Sequence, residues 1–404
     1  MNVTITPGKA HGVITAPPSK SMAHRLLIAG ALSEGKSTIC GISLSKDIEA
    51  TLRCLHALGA EYSLEGDKVT IGSLRPACAA KKTVLDCGES GSTLRFLLPL
   101  CLLSGKEIVL TGSDYLLERP MEIYEKLCRQ NGFDYQKKSD GIHVKGVLKP
   151  GEYRVPGNVS SQFISGLLFA LPLLSGDSKI SITPPVESVP YIELTLDALH
   201  TFGVDAVFES ERTLRVPCSH FSPRKVTVEG DYSNAAFFEA LNVLGGNVTV
   251  EGLLPDSRQG DRVYRKMFPL LRAGTASLHL GDCIDLAPIC FALAAVLHGG
   301  IFGGTRRLAM KESDRASAMA EELRKFGTTV TVGENHVVIV PTDFHAPNGI
   351  LCGHNDHRVV MSLAVLLTRT GGTISGAEAV NKSFPGFFEA LSSLGIGVKY
   401  ENDQ

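Results

Sequence analysis

Pro17-Pro-Ser-Lys-Ser-Met-Ala-His-Arg-Leu-Leu-Ile-Ala-Gly-Ala-Leu32 begins with a polar head and runs directly into a stretch with no polar side. A helix apolar all round has to be buried. Ser19 suits its N-cap, but Lys20 and Arg25 do not, because cations oppose the positive end of a helix dipole. A head of this kind therefore reads as an anion site, in which free backbone N–H groups and two cations face the same ligand.

The pattern recurs along the chain. Further heads stand at Glu89 to Arg95, Ser160 to Gln162, Asp231 to Asn234, Asp285, and Asn355 to Arg358. Apolar runs follow them, as in Leu94 to Leu103, Phe163 to Leu174 and Val359 to Leu367. In each copy a second, amphipathic helix is expected to stop at a glycine, at Gly59, Gly132, Gly203, Gly274, Gly327 and Gly395, in the left-handed conformation that ends helices. Hairpins are expected after most of these, around Glu65-Gly66-Asp67 and Gly333-Glu334-Asn335 for example. The repeat is thus a helix, strand, helix and hairpin, present in six copies. Six fully apolar helices do not fit one ordinary core, and 404 residues favour two domains. Three copies per domain is the natural split.

A formal charge of −2 excludes a general polycation for nucleic acid or an anionic membrane. No stretch approaches the length of a membrane span, and Met1 to Ala10 lacks the form of a signal peptide, so a cytoplasmic protein is expected. The ten cysteines show no metal-ligand spacing and read as reduced thiols. Gly30-Ala-Leu-Ser-Glu-Gly-Lys-Ser37 matches the phosphate-binding pattern GxxxxGK[ST], but it lies at the end of a helix and before a strand. The motif needs the reverse order, so the match is discarded.

Near the C-terminus, Lys311-Glu-Ser-Asp-Arg315 precedes an amphipathic helix for which Ser313 can serve as cap. Asn355-Asp-His-Arg358 is fused to a buried run, and Lys382 stands in Asn381-Lys-Ser-Phe-Pro385. With Lys20-Ser21 and Arg25, Gly88 to Thr93, Arg119-Pro-Met121 and Ser160-Ser-Gln162, these strings resemble the 5-enolpyruvylshikimate-3-phosphate synthase family over nearly the whole chain.

The resemblance implies a two-domain inverse α/β barrel. One domain would be 1–18 plus 228–404, on the phosphoenolpyruvate side, and the other 19–227, on the shikimate 3-phosphate side. It implies shikimate 3-phosphate binding by Lys20, Ser21, Arg25, Ser160, Ser161, Gln162, Ser188, Tyr191, Asp285 and Lys311. Phosphoenolpyruvate would be held by Lys20, Gly91, Arg119, Gln162, Arg315, Arg358 and Lys382, and Lys20, Asp285, Glu312, His357 and Lys382 would serve the chemistry. No metal or organic cofactor is implied, and the expected protein is a monomer without a nucleic-acid or membrane partner. Glyphosate, in that family, occupies the phosphoenolpyruvate site and extends further than the substrate does.

Two positions depart from the family pattern: Glu89 stands where many relatives have Asn, and Ala309 where Arg is common. The UDP-N-acetylglucosamine enolpyruvyl transferases are the nearest rival, but they carry Asn after the first Lys and commonly a Cys near Arg119. Here Ser21 and Leu116-Leu-Glu118 occupy those places. A non-catalytic anion-binding protein is the other rival, and it has no use for Asp285, Glu312 and Lys382 together. Anion-binding heads in two domains repel each other until an anion joins them, so shikimate 3-phosphate is expected to compact the protein in small-angle scattering. An unchanged radius of gyration contradicts this.

Overall fold

A computed structural model describes residues 1–72, 74 and 82–401, and in it five of the six heads close their own first helical turn. The side chains of Ser19, Ser90, Ser160, Asp231 and Asp356 accept the backbone N–H of Met22, Thr93, Gln162, Asn234 and Arg358. They cap helices Lys20–Leu32, Gly91–Cys101, Ser161–Ala170, Tyr232–Val243 and His357–Thr370. The remaining head helix, Ala287–Val296, has no side-chain cap and continues the 3-10 turn Ile284–Leu286 that carries Asp285. From Ala287 to Ala295 every residue is buried, as its unbroken apolar sequence requires.

Five of the helix-ending glycines are left-handed, with φ of 107° at Gly59, 69° at Gly132, 87° at Gly203, 78° at Gly327 and 85° at Gly395. Gly274 differs: its φ of 167° is extended backbone. The next strand, Ala276–His279, forms no hairpin but pairs in parallel with Gly300–Gly303 of the following copy. Gly274 is thus extended backbone that any residue can adopt, and a left-handed residue is not needed there.

Copies one, two, three and five have the expected order, each with a four-stranded sheet in which a parallel pair adjoins a hairpin. The fourth lacks the hairpin; its strand Asn247–Glu251 pairs in parallel with His11–Thr15 alone. In the sixth, Asn2–Ile5 from the chain start lies antiparallel between Gly372–Ser375 and Val398–Glu401, where the other copies have a hairpin strand.

The chain divides into two compact units, Pro18–Glu229 and Met1–Pro17 with Gly230–Gln404. Each has its own apolar core and contains three of the buried helices. The GxxxxGK[ST] match runs from the end of helix Lys20–Leu32 into strand Lys36–Cys40, opposite to the order a phosphate loop needs. None of the described helices is long and apolar enough to cross a membrane. Nine cysteines are described, all as free thiols.

Helix Ser161–Ala170 packs against Gly91–Cys101 at Gly166, where an added Cβ would collide with the Arg95 carbonyl and the Tyr124 hydroxyl. That hydroxyl lies 2.7 Å and 3.0 Å from the carbonyl oxygens of Arg95 and Phe163. Gly166→Ala should therefore cost about 1–3 kcal/mol through overpacking, read as a lower urea midpoint; an unchanged midpoint contradicts the close approach.

Candidate active site

In the unit that contains Gly230–Gln404, one buried arginine gathers three carboxylates. Arg315 opens helix Arg315–Arg324 with its side chain only 1% exposed. Its Nε donates to Asp356 Oδ2 at 2.8 Å, Nη1 to Asp285 Oδ1 at 2.8 Å and Nη2 to Glu312 Oε2 at 2.6 Å. Asp285 also receives Lys311 Nζ at 3.1 Å and Arg358 Nη2 at 3.4 Å. Burial by itself would raise the proton affinity of Asp285, but Lys311, Arg358 and Arg315 overcome it and hold the carboxyl well below its usual range.

Lys382, from the 3-10 turn Ala377–Lys382, donates to the Asn355 carbonyl at 2.6 Å. His357 is buried as the first residue of its helix. The sequence-based assignment of Ser313 as a cap is wrong: Asp314 caps Arg315–Arg324, accepting from Ser317 N–H at 3.2 Å. The helix begins at Arg315, so Asp314 is the residue just outside it, and its carboxylate faces the free N–H groups of the first turn. Ser313 instead donates its hydroxyl to Asp356 Oδ2 at 3.1 Å.

The unit Pro18–Glu229 holds the other candidates in three groups. Lys20 Nζ meets Asp47 Oδ2 at 2.8 Å. Arg25 donates to the Ser21 carbonyl at 2.6 Å, to the Tyr191 carbonyl at 2.9 Å and to Thr195 Oγ1 at 2.8 Å. Burial lowers its pKa to about 10. Ser188, left-handed at φ 59°, is the N-cap residue of the helix that supplies Tyr191 and Thr195, Val189–Thr201. In the third group Arg95 Nη1 holds Gln162 Oε1 at 2.8 Å while Gln162 Nε2 reaches Ser92 Oγ at 3.0 Å, which ties the heads of Gly91–Cys101 and Ser161–Ala170. Ser160 and Ser161 stand at the start of the latter helix. Arg119 lies against Gly91, so that a Cβ at Gly91 would fall 2.7 Å from Nη1.

His24 completes a polar chain across the first two heads: Nδ1 lies 2.8 Å from Thr51 Oγ1, which lies 2.7 Å from Thr93 Oγ1. Burial first, then Lys20 and Arg25, push its pKa well down, so the ring is neutral.

Asp261 and Asp47 are site neighbours that the sequence reading misses. Asp261 lies in the 3-10 turn Gly260–Val263, 1% exposed, and accepts the Ser233 hydroxyl. Burial and the charge of Asp285 push its pKa up to about 7 against the pull of Arg358. Nothing in Gln259-Gly-Asp261 announces a buried acid. Asp47 sits in the first turn of Lys46–Ala57, where an acid is expected for the helix dipole alone.

The profile of the family EPSP synthase (3-phosphoshikimate 1-carboxyvinyltransferase) matches residues 5–391. A 3-phosphoshikimate 1-carboxyvinyltransferase of Clostridium kluyveri is 38% identical over 416 residues, covering 97% of both chains. Another, of Clostridium perfringens, is 38% identical over 423 residues and covers 99% of both. The solved EPSP synthase of Acinetobacter baumannii superposes with a TM-score of 0.78 at 26% identity, over 99% of this chain and 100% of that one. A match of this extent, to a chain whose buried helix heads carry the expected cations and carboxylates, places the protein in the EPSP synthase family.

Proposed function

We propose that the chain transfers the enolpyruvyl group of phosphoenolpyruvate to the 5-hydroxyl of shikimate 3-phosphate, in aromatic amino acid biosynthesis, with the residues named above as its working groups. The observation that carries the assignment of roles is the set Lys311, Arg315 and Arg358 around Asp285, beside Glu312. A site for binding alone would gain nothing by placing two acids among the cations meant for an anion.

Addition of the hydroxyl to C2 of phosphoenolpyruvate needs one proton delivered to the methylene at C3 and one removed from the hydroxyl. The tetrahedral intermediate then expels phosphate as C3 gives a proton back, which restores the double bond. Asp285, Glu312 and Lys382 are the groups suited to the proton transfers, and Lys20 and His357 serve the same chemistry. Arg119, Gln162, Arg315, Arg358, Lys382 and Lys20 hold the phosphoenolpyruvate anion, and the backbone of Gly91 approaches it. Ser21, Arg25, Ser160, Ser161, Gln162, Ser188, Tyr191 and Lys311 hold shikimate 3-phosphate.

Asp285 with three cationic partners is a weak base. A phosphate or carboxylate that engages Arg315 and Arg358 loosens those contacts and adds negative charge nearby, and both changes raise the proton affinity of Asp285. Substrate arrival thus creates the base that the reaction requires.

All the working groups come from one chain, so a monomer suffices, and the free thiols suit the cytoplasm. Release of inorganic phosphate from phosphoenolpyruvate should require shikimate 3-phosphate. Release driven by UDP-N-acetylglucosamine instead, or no release with either acceptor, contradicts the proposal. The cations that meet the substrates are Lys and Arg, so turnover should survive exhaustive chelation with EDTA; loss restored by Mg or Zn would overturn that. Gly91→Ala should displace the tip of Arg119. It is expected to raise the glyphosate inhibition constant more than the KM for phosphoenolpyruvate, because the longer ligand has less room to adjust. Equal changes, or none, would remove Gly91 from the site.

A further inference from the structure

The turn ahead of the sixth head holds two successive non-glycine residues in left-handed backbone. His354 and Asn355 are consecutive left-handed residues, with φ of 48° and 51°, and Asp356 N–H closes the turn on the Gly353 carbonyl at 2.9 Å. Positive φ at both central residues is the mark of a type I′ turn, which favours Asn or Gly at each position. Asn355 fits that preference. His354 also carries a Cβ into that region, where glycine would be unstrained, although histidine is among the side chains enriched there.

The side chain of His354 ties the turn to a distant helix: Nε2 lies 2.9 Å from Glu322 Oε1. Glu322 is fully buried on helix Arg315–Arg324 and accepts three further hydrogen bonds, from Lys325 Nζ at 3.0 Å and 2.9 Å and from Cys352 N–H at 2.9 Å. Glu321, Glu322 and His354 are close enough together to suggest a metal site. With four hydrogen bonds shared between its two oxygens, Glu322 has little acceptor capacity left for an ion. On the other side of the turn, the Asn355 carbonyl accepts Lys382 Nζ at 2.6 Å.

We infer that His354, gripped by Glu322, is a positioning residue for Lys382: the contact holds the turn in the left-handed form that aims the Asn355 carbonyl at the ammonium group. The inference rests on the reading of Lys382 as a group that serves the reaction. The charges that act on the imidazole are Glu322, Glu321 and Lys325. The hydrogen bond to Glu322 raises its pKa, burial opposes this, and Glu321 adds to the rise while Lys325 subtracts. The charged pair is therefore complete below the ordinary histidine pKa of about 6.5. It weakens as pH rises through the raised value, so Lys382 should be held less firmly on the alkaline side.

His354→Gly and His354→Asn both suit a left-handed backbone and both remove the ion pair. Each should keep a urea midpoint close to that of the native protein and keep the KM for shikimate 3-phosphate within about twofold, while kcat for phosphate release falls between about fivefold and a hundredfold. The alkaline decline of kcat that the histidine causes in the native enzyme should be absent from both. Native kcat and a native pH profile in both variants overturn the inference, provided that Lys382→Met is inactive. Full turnover in Lys382→Met overturns the reading of Lys382 itself, and this inference with it.

Discussion

Arg315 and its three carboxylates are the interaction on which the C-terminal site depends. Arg315 is 1% exposed and Asp356 is fully buried, so neither can be solvated by water if the other is lost. Removing one partner of such a pair costs about 3–5 kcal/mol, because a bare charge stays inside. Asp356 is bound to a second task, since the carboxylate that holds Arg315 Nε also accepts Arg358 N–H as the helix cap. The position of Arg358 and the position of Arg315 are therefore set by one side chain. Asp285 closes the group by meeting both guanidinium groups and Lys311.

That arrangement requires helices that cannot slide. The head helices are apolar on every face, and close packing fixes them to a degree an amphipathic surface helix does not reach. Contacts between their polar ends then add geometry: Arg95 with Gln162, Gln162 with Ser92, and His24 with Thr51 and Thr93. Each unit has a separate core, so each set of heads is rigid on its own. The same sequence feature, an apolar run after a polar head, thus accounts for both the fold and the place where chemistry is possible.

The six heads were legible because burial of a whole helix and capping of its first turn leave strong local marks, as at Ser19, Ser90 and Asp231. The cations were legible because Lys20, Arg25 and Arg358 oppose the dipole that local rules would have them respect. What escaped was set by distant packing. Asp261 looks like any loop acid until Ser233 and Asp285 surround it. Ser313 and Asp314 are both good caps, and only the meeting of Ser313 with Asp356, 43 positions away, assigns the roles. The fourth and sixth copies depart from the repeat because their sheets take strands from the start of the chain, which no local pattern records.

Under the proposed function the cations around Asp285 bind while Asp285 moves protons. Equilibrium binding of phosphoenolpyruvate in the presence of shikimate 3-phosphate, set beside single-turnover rates for Asp285→Asn, separates the two roles. Loss of the negative charge frees Lys311, Arg315 and Arg358 for the substrate, so binding should be as tight as in the native protein or tighter. The chemical step should fall by about 10²–10⁴-fold. Binding lost in proportion to the rate, or a rate that survives, would contradict the account.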